Sequence, residues 1–191
     1  MAYRRQASRQ RPSKQQQPDL RALFAMVDTD RSGEIDAKEL QRALSNGANT
    51  PFNLNTCHLL IGMVDAKNNG QIDFAEFQNL WQTLNGWIRI FRQFDTDGSN
   101  TIDRGELTNA MTQAGYRFSD AMISRLMQSF DRTNTGHLLF DDFIQLNIVV
   151  FTLQINFRAR DTSGQGVVVL SNEEFMNVII GLLFRLGNFR S

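Results

Sequence analysis

The sequence has few of the features that mark secreted, membrane-spanning or lipid-anchored proteins. Of its 191 residues, one is cysteine and three are proline. The single thiol, Cys57, cannot form a disulfide within the chain, which favours a reducing compartment. No apolar run approaches the roughly 20 residues of a membrane helix, and no N-terminal stretch resembles a signal peptide. Ala2 follows Met1 where N-myristoylation requires glycine. We therefore expect a cytoplasmic protein.

Charge is balanced overall but is unevenly distributed. The formal net charge is zero, yet residues 1–18 hold five basic side chains and no acidic one. This segment is rich in glutamine and lacks periodic apolar residues, so we predict a disordered tail ahead of a domain at 19–191. A basic arm of this kind can stay solvated or can contact an acidic membrane surface. Nucleic acid is the less expected partner.

Five acid-rich segments repeat along the chain, and their spacing decides the interpretation. Each has an apolar helix-like stretch, an aspartate, a polar loop centred on glycine or asparagine, and an aliphatic residue. They start at Asp28, Asp65, Asp95, Asp131 and Asp161. The steps between starts are 37, 30, 36 and 30 residues, so long and short intervals alternate. Five such loops in register are not expected of ordinary solvated turns.

The first loop has an oxygen donor at every position that a twelve-residue calcium loop uses. Such a loop needs ligands at positions 1, 3, 5, 7, 9 and 12, with a backbone carbonyl at position 7 and a bidentate glutamate at position 12. The predicted ligands are Asp28, Asp30, Ser32, Glu34, Asp36 and Glu39. Gly33 at position 6 permits the positive φ of the sharp turn.

The third loop fills the same positions. Its predicted ligands are Asp95, Asp97, Ser99, Thr101, Asp103 and Glu106. Asn100 replaces glycine at position 6, which is a small penalty because asparagine visits the left-handed region readily. Both loops have serine at position 5, where the consensus has aspartate or asparagine, and a hydroxyl oxygen can still coordinate there. We predict two strong calcium sites.

The second and fourth loops are poorer. The second retains donors for a weak third calcium site, namely Asp65, Asn69, Asp73 and Glu76. However, Lys67 places an ammonium group at position 3, where it repels a cation. In the fourth loop, Leu139 occupies position 9, and Asp142, shorter than glutamate, occupies position 12. We expect the fourth hand to fold without a good calcium site.

The fifth loop departs further from the pattern. It starts at Asp161 and has Asn172 at position 12, and the apolar residue that normally follows the closing ligand comes two places late, at Phe175. We therefore predict a loop extended by two residues that is not a calcium cage. The run at 167–170 favours a strand.

The flanking apolar residues have a helical period, which predicts an all-α fold of five EF-hand helix-loop-helix units. The 30-residue steps leave only 18 residues between one loop and the next, at Phe77–Phe94 and at Phe143–Arg160. Neither stretch contains proline, so we predict that each is one long helix shared by two hands.

Loops are expected to pair through short β-bridges at position 8, because an isolated strand leaves backbone groups unpaired. The predicted pairs are Ile35 with Ile72 and Ile102 with Leu138. Val168 is then left without a partner inside the chain. Together with the apolar helix Phe175–Leu186, this predicts a dimer through the fifth hand.

The chain resembles the penta-EF-hand family over about residues 19–180. The resemblance is carried by Leu40–Gly47 with Thr50–Asn53, by Leu84–Trp87 and by Asp141–Gln145, and is strongest to its apoptosis-linked branch. It implies a soluble calcium sensor that forms homo- or heterodimers through its fifth hand, exposes an apolar groove with calcium and binds Pro-rich peptides. The basic tail departs from the family's usual Gly/Pro-rich one.

The leading functional prediction is a calcium-dependent sensor and adaptor, recruited to membranes or the nucleus with calcium. Two alternatives stay open: the regulatory subunit of a calpain-like protease or other enzyme, and a passive calcium buffer. We do not expect an enzyme, because no catalytic constellation is present. Cys57 and His58 are adjacent on a helix and point to different faces, so they cannot form a dyad.

Overall fold

The computed structural model describes residues 18–48 and 50–185, so most of the predicted tail at 1–18 lies outside the described residues. Eight α-helices occupy this part of the chain: α1 (Leu20–Val27), α2 (Ala37–Ala43), α3 (Leu54–Val64), α4 (Phe74–Phe94), α5 (Arg104–Gln113), α6 (Asp120–Phe130), α7 (Phe140–Arg158) and α8 (Asn172–Arg185). The two longest, α4 and α7, confirm that one helix is shared by the second and third hands and another by the fourth and fifth. Among these described helices, none combines the length and apolar character needed to cross a bilayer.

The acidic loop residues also end and begin the helices. Each of the first four loops starts at the residue that caps the preceding helix, whose backbone N–H donates to a carbonyl four residues earlier. In the first three loops, the position-9 aspartate and the position-12 glutamate form a reciprocal capping box at the next helix. The fourth loop differs, because α7 follows Leu139 and has no side-chain cap.

Two antiparallel bridges pair the first four loops as predicted. Ile35 and Ile72 exchange N–H···O bonds of 2.8 and 3.0 Å, and Ile102 and Leu138 exchange two of 2.9 Å. All four side chains are fully buried. Over the described ranges, no bridge includes Val168. The predicted all-α architecture with loop–loop pairing is confirmed.

The described residues form two apolar cores, one under the first two hands and one under the third and fourth. Helix α7 contributes to both: Ile144 and Ile148 pack in the first core, and Phe143 and Leu146 in the second. Phe140 packs against both cores. The two halves are therefore joined by a common helix as well as by α4.

Candidate metal centres

The first loop folds around two carboxylates from its opposite ends. Asp28 accepts the backbone N–H groups of Ser32 at 3.0 Å and Gly33 at 2.9 Å. Glu39 reaches back from α2 and accepts from the N–H and the hydroxyl of Thr29, both at 2.8 Å. Gly33 has φ +86°, the positive value predicted from its position. The loop backbone thus holds the first and last acidic residues close together.

Three carboxylates of the first loop converge. Asp28, Asp30 and Glu39 each offer an oxygen, and these oxygens all lie within 4.8 Å of one another. Burial raises the pKa of Glu39, but hydrogen bonds from Thr29 and from loop amides outweigh it and hold that pKa below its ordinary value. Hydrogen bonds from the side chain and backbone of Ser32 lower the pKa of Asp30. Both groups are therefore held ionised at neutral pH.

The third loop repeats this arrangement. Oxygens of Asp95, Asp97 and Glu106 also lie within 4.8 Å of one another. Glu106 accepts from the N–H of Thr96 at 2.7 Å and from its hydroxyl at 2.9 Å. Asn100 has φ +60° and donates its N–H to Asp95 at 3.1 Å, so it takes the turn conformation that glycine usually takes at this position.

The third loop contains an observation that tests whether a cation fits. Oδ1 of Asp95 is buried and has no hydrogen-bond partner within the described part of the chain, which is also true of Oδ1 of Asp141 and Oδ2 of Asp142, but these two carboxylates bind Arg132 through their other oxygens. Leaving a buried polar atom unpaired costs about 1–3 kcal/mol, and more for a charged group. The surrounding donors are all oxygens, which are the ligands that Ca²⁺ prefers. The residues present therefore fit calcium, which would supply the positive charge that the cluster lacks.

The other predicted ligands lie beside these clusters but have other contacts. In both loops the position-5 hydroxyl donates to the position-7 carbonyl: Ser32 to Glu34 at 2.9 Å and Ser99 to Thr101 at 3.3 Å. Asp36 and Asp103 accept the N–H groups of the closing glutamates at 2.7 and 2.8 Å. Positions 1, 3 and 12 are thus brought together, and position 9 caps a helix. Direct ligation by all twelve residues stays a prediction.

In the second loop, a lysine is bound to the acidic residues. Nζ of Lys67 lies 3.0 Å from Asp73 and 3.1 Å from Glu34 of the paired first loop. These contacts raise the pKa of Lys67 above its ordinary value, with Asp73 the larger cause. Asn69, a candidate ligand, directs Nδ2 at both Glu34 oxygens at 3.1 Å. Over the described residues, clusters of three metal-ligating side chains occur only in the first and third loops.

An arginine bonds to the closing acid of the fourth loop. Nε of Arg132 donates to Asp142 at 3.1 Å, and its Nη2 donates to Asp141 at 2.6 Å. Burial raises the pKa of Asp142, the neighbouring Asp141 raises it further, and Arg132 opposes both effects. The fourth hand therefore has an internal cation at its last loop position, and its lack of a good calcium site stays a prediction.

Sequence reasoning missed this arginine, although a signal for it was present. In the first and third loops the residue at position 2 hydrogen-bonds the acid at position 12: Thr29 with Glu39 and Thr96 with Glu106. Arg132 is the position-2 residue of the fourth loop and bonds to Asp142 ten residues later. A basic residue at position 2 therefore predicts an ion pair with the closing acid.

The fifth loop contains a second missed residue, Glu174. Its carboxylate accepts the N–H of Ser171 at 2.8 Å, and Ser171 Oγ accepts the N–H of Glu174 at 3.2 Å. This reciprocal pair matches the capping boxes of the first three hands. Its glutamate lies two places after Asn172, the residue that the twelve-residue count puts at the closing position. The signal was the Ser-x-x-Glu spacing ahead of an apolar helix. Glu174 is therefore the counterpart of the closing glutamate in a loop two residues longer.

Comparison with known proteins agrees with this geometry. The family described as EF-hand domain pair matches residues 17–82 and again 85–146. Sorcin from Homo sapiens is 38% identical over 172 residues, which cover 88% of this chain and 85% of sorcin. The chain belongs to the penta-EF-hand family. Peflin from Danio rerio is 37% identical to this chain over 179 residues, which cover 93% of this chain and 66% of peflin.

A solved structure shows the same fold. The structure of a homolog of programmed cell death 6 protein from Leishmania major Friedlin superposes with a TM-score of 0.75 at 34% identity. The superposed residues cover 87% of this penta-EF-hand chain and 95% of the Leishmania chain. Calcium binding follows from the EF-hand domains, and the two acidic clusters are able to hold ions.

Among the described residues of this penta-EF-hand chain, apolar clefts lie on two sides of helix α7. The first, which we call the α4–α7 cleft, has a volume of about 640 Å³. Its aromatic lining consists of Trp87, Phe94, Tyr116, Phe143 and Phe151. The second, the α6–α8 cleft, has a volume of about 770 Å³. Its lining includes Met122, Leu126, Leu153, Phe157, Val168 and Phe175. Clefts of this size and apolar character are typical binding sites.

Proposed function

We propose that this chain is a calcium sensor and adaptor that binds an extended, Pro-rich peptide in the α4–α7 cleft. The proposal is carried by the position of that cleft beside the third loop. Phe94 of α4 and Ala110 of α5 both line it, and these two helices enter and leave the third loop. A change in the angle between α4 and α5 would therefore change the width of the cleft.

The chemistry of the α4–α7 cleft suits such a peptide. Pro-rich segments form an extended helix without internal hydrogen bonds and dock into aromatic grooves with little loss of conformational entropy. Phe151, which lines the cleft, is 60% exposed and is therefore available for contact. The amide side chains of Gln113 and Asn147 also lie on the walls, where they can hydrogen-bond peptide carbonyls.

Coupling to calcium follows from where the acidic cluster lies. Asp95 ends α4, and Glu106 lies in the first turn of α5, so one cluster spans both helices. In sensor EF-hands, calcium binding changes the angle between the two helices and exposes an apolar groove. If calcium and peptide favour the same arrangement, each must strengthen the binding of the other by the same factor.

Calorimetry can test this reciprocity. Calcium affinity is measured with and without a saturating Pro-rich peptide, and the proposal expects tighter binding with the peptide. Phe151→Ser should weaken peptide binding at least about tenfold, because burial of one large apolar side chain is worth roughly 1.5–3 kcal/mol. Phe157→Ser is the matched control, since Phe157 lies on the same helix but lines the α6–α8 cleft. Calcium affinity that stays constant while peptide is bound would contradict the proposal.

We further propose that the fifth hand mediates a dimer. Its loop and α8 expose large apolar side chains: Val167, Val169, Phe175, Met176 and Ile180. Val169 is 91% exposed. A contiguous apolar patch on a protein surface usually marks an interaction site. Segment 167–170, predicted to favour a strand, is not assigned as one in the described structure. A second copy or a related chain would bury these groups and give this segment a strand partner.

Light scattering detects a dimer of two copies of this chain, and co-purification detects a dimer with a related chain. Phe175→Ser should shift the chain toward monomer, because the lost burial is a large share of what offsets the entropy of association. Phe151→Ser should leave the dimer intact while it weakens peptide binding. If Phe175→Ser stays fully dimeric at micromolar concentration, the contact lies elsewhere.

The proposal places the chain in the cytoplasm, as a non-enzymatic sensor recruited to membranes or the nucleus when calcium rises. The basic segment 1–18 would favour an acidic membrane surface. A passive buffer would show no calcium-dependent change in exposed apolar surface, and an enzyme's regulatory subunit would co-purify with that enzyme. Dye fluorescence and a pull-down, each with and without calcium, separate these three functions.

A further inference from the structure

An ion cluster built on two buried carboxylates joins the two halves of the molecule at the fourth loop. It consists of Arg132, Asp141, Asp142, Asn46 and Asn53, which we call the Arg132 clasp. Asp141 and Asp142 are 0% and 1% exposed, and Arg132 bonds to both. The Asp141 oxygen that accepts from Arg132 also accepts the backbone N–H of Asn53 at 2.6 Å and Nδ2 of Asn46 at 3.4 Å. The two asparagines belong to the first half, and the ion pairs belong to the fourth hand.

Further contacts fix the linker of the first half to the same place. Arg132 Nη1 lies 3.3 Å from the carbonyl of Pro51, and Thr56 Oγ1 lies 3.2 Å from the carbonyl of Asp141. Asn53 Nδ2 donates to Gln145 at 2.8 Å. Separating these groups would leave buried carboxylates without their partners, which is strongly unfavourable. The clasp is therefore a firm connection between the two halves.

On one side, the clasp reaches the first loop through α2. Glu39 lies in the first turn of α2, and Gln41 two residues later donates to the carbonyl of Phe52 at 2.6 Å. Phe52 directly precedes Asn53 of the clasp and is 1% exposed. A shift of α2 that follows from a change at Glu39 would therefore be transmitted to the linker.

On the other side, the clasp reaches the third loop. Leu138 precedes Asp141 by three residues and exchanges both backbone hydrogen bonds with Ile102 of the third loop. Ile102 lies four residues before Glu106. Two hydrogen-bonded contacts thus lie between Glu39 and Glu106: Gln41 with Phe52, and Ile102 with Leu138. The Arg132 clasp connects these two contacts.

We propose that the Arg132 clasp couples the first and third loops, so that calcium binding at one raises calcium affinity at the other. The inference rests on the proposed calcium function of both loops. Because the clasp makes the two halves shift together, the rearrangement that accompanies the first ion is already made when the second ion binds. Two sites that bias one shared element are coupled reciprocally.

The shared helix α4 offers a competing route, and the experiment must separate the two. The cycle uses four proteins: the natural chain, Glu39→Gln, Arg132→Gln/Asp142→Asn, and the combination of all three changes. The double change removes one positive and one negative charge together. Calcium affinity of the third loop is read from the amide resonance of Gly98, which reports on that loop alone. Hydrogen exchange at the Asn53 amide shows whether the clasp is open.

Glu39→Gln should weaken third-loop calcium binding about fivefold or more in the natural chain, the lower end of typical coupling. The same change should have no effect where the clasp is removed. Asp120→Asn is the matched control, because it breaks an exposed pair of 3.4 Å with Arg104 from α6, outside the third loop, and the fivefold effect should persist. Arg132→Lys keeps the charge but loses the planar fork, and should reduce the coupling if the double variant does not fold.

Undiminished coupling in the clasp variants, with the Asn53 amide exchanging freely, would overturn the inference and assign the coupling to α4. Independent binding at the two loops of the natural chain would also overturn it. Failure of either loop to bind calcium would instead contradict the proposed function, so the two failures are distinguishable.

Discussion

The first and third loops and the second and fourth loops have one backbone design but opposite charge environments. In all four, an aspartate at position 1 accepts loop N–H groups, and position 8 forms a β-bridge. Lys67 pairs with Asp73 in the second loop, and Arg132 pairs with Asp142 in the fourth. Among the described residues, no ion pair involves the acidic clusters of the first and third loops.

This difference separates two properties that the EF-hand motif usually combines. The acidic residues shape the hand because they cap helices and accept loop amides. Calcium binding needs something more, which is carboxylates left without a cation of the protein's own. A basic side chain in a loop therefore preserves the fold while it competes with the ion.

The largest effect should come from breaking the ion pair in the fourth loop. Arg132→Ala leaves the buried carboxylates of Asp141 and Asp142 without a cation, although Asp141 keeps the N–H of Asn53, and should lower the free energy of unfolding by about 3 kcal/mol. Arg104→Ala, which breaks the exposed pair with Asp120, should cost less than about 1 kcal/mol. Urea unfolding in calcium-free buffer measures both changes. Equal losses would show that the Arg132 pair is no stronger than a surface contact.

Substitution of the closing glutamates should distinguish the first and third loops, which we predict to bind calcium, from the second loop. Glu39→Gln or Glu106→Gln should weaken one calcium site so far that titration no longer detects it. The Kd of that site should rise from about 10⁻⁶ M to about 10⁻⁴ M or higher, because ligand charge tunes affinity. Glu76→Gln is the matched control, and calcium stoichiometry should not change. Calorimetric titration provides the comparison. If Glu76→Gln loses a site, the second loop binds calcium despite Lys67.

The closing acids of the first and fourth loops should respond oppositely to pH. The pKa of Glu39 lies below its usual 4.5, so its stabilising effect is present above that value and is lost as pH falls through the folded pKa. The pKa of Asp142 lies above its usual 3.8 because the group is buried, so its contribution is present below 3.8 and is lost as pH rises.

Urea unfolding of calcium-free protein between about pH 3 and pH 7 tests these signs. The stability difference between the natural chain and Glu39→Gln should shrink as pH falls. Asp142→Asn should become more favourable relative to the natural chain as pH rises, by at most about 1.4 kcal/mol per pH unit. A difference for Asp142→Asn that moves the other way would mean that Arg132 outweighs the burial.

Much of the fold was predictable because it depends on local spacing. The bridge partners Ile35 and Ile72, the shared helices, and the converging acids of the first and third loops all follow from residue positions in a repeated motif. The tether of Lys67 to Glu34 was not predictable, because these residues are 33 positions apart and meet only after the loops pair. Asp141 presents the same difficulty, since its partner Asn53 is 88 residues away.

The fifth hand shows a different limit of sequence reasoning. Counting twelve positions from Asp161 placed Asn172 at the closing position, whereas the structure gives Glu174 that role. The two-residue extension was recognised from Phe175, but the closing residue was not moved with it. The clefts beside α7 depend on which apolar side chains remain uncovered after packing, and helical periodicity does not determine that.

The claim that an internal cation decides which loops bind calcium is tested most directly by calcium stoichiometry in the second loop. Lys67→Asn replaces the ammonium with a neutral oxygen donor common at position 3, and Lys67→Met removes the charge without adding a donor. Calorimetric titration should give two ions per chain for the natural protein and three for Lys67→Asn, with Lys67→Met gaining at most a weak third site. Three ions in the natural protein, or two in Lys67→Asn, would contradict the account.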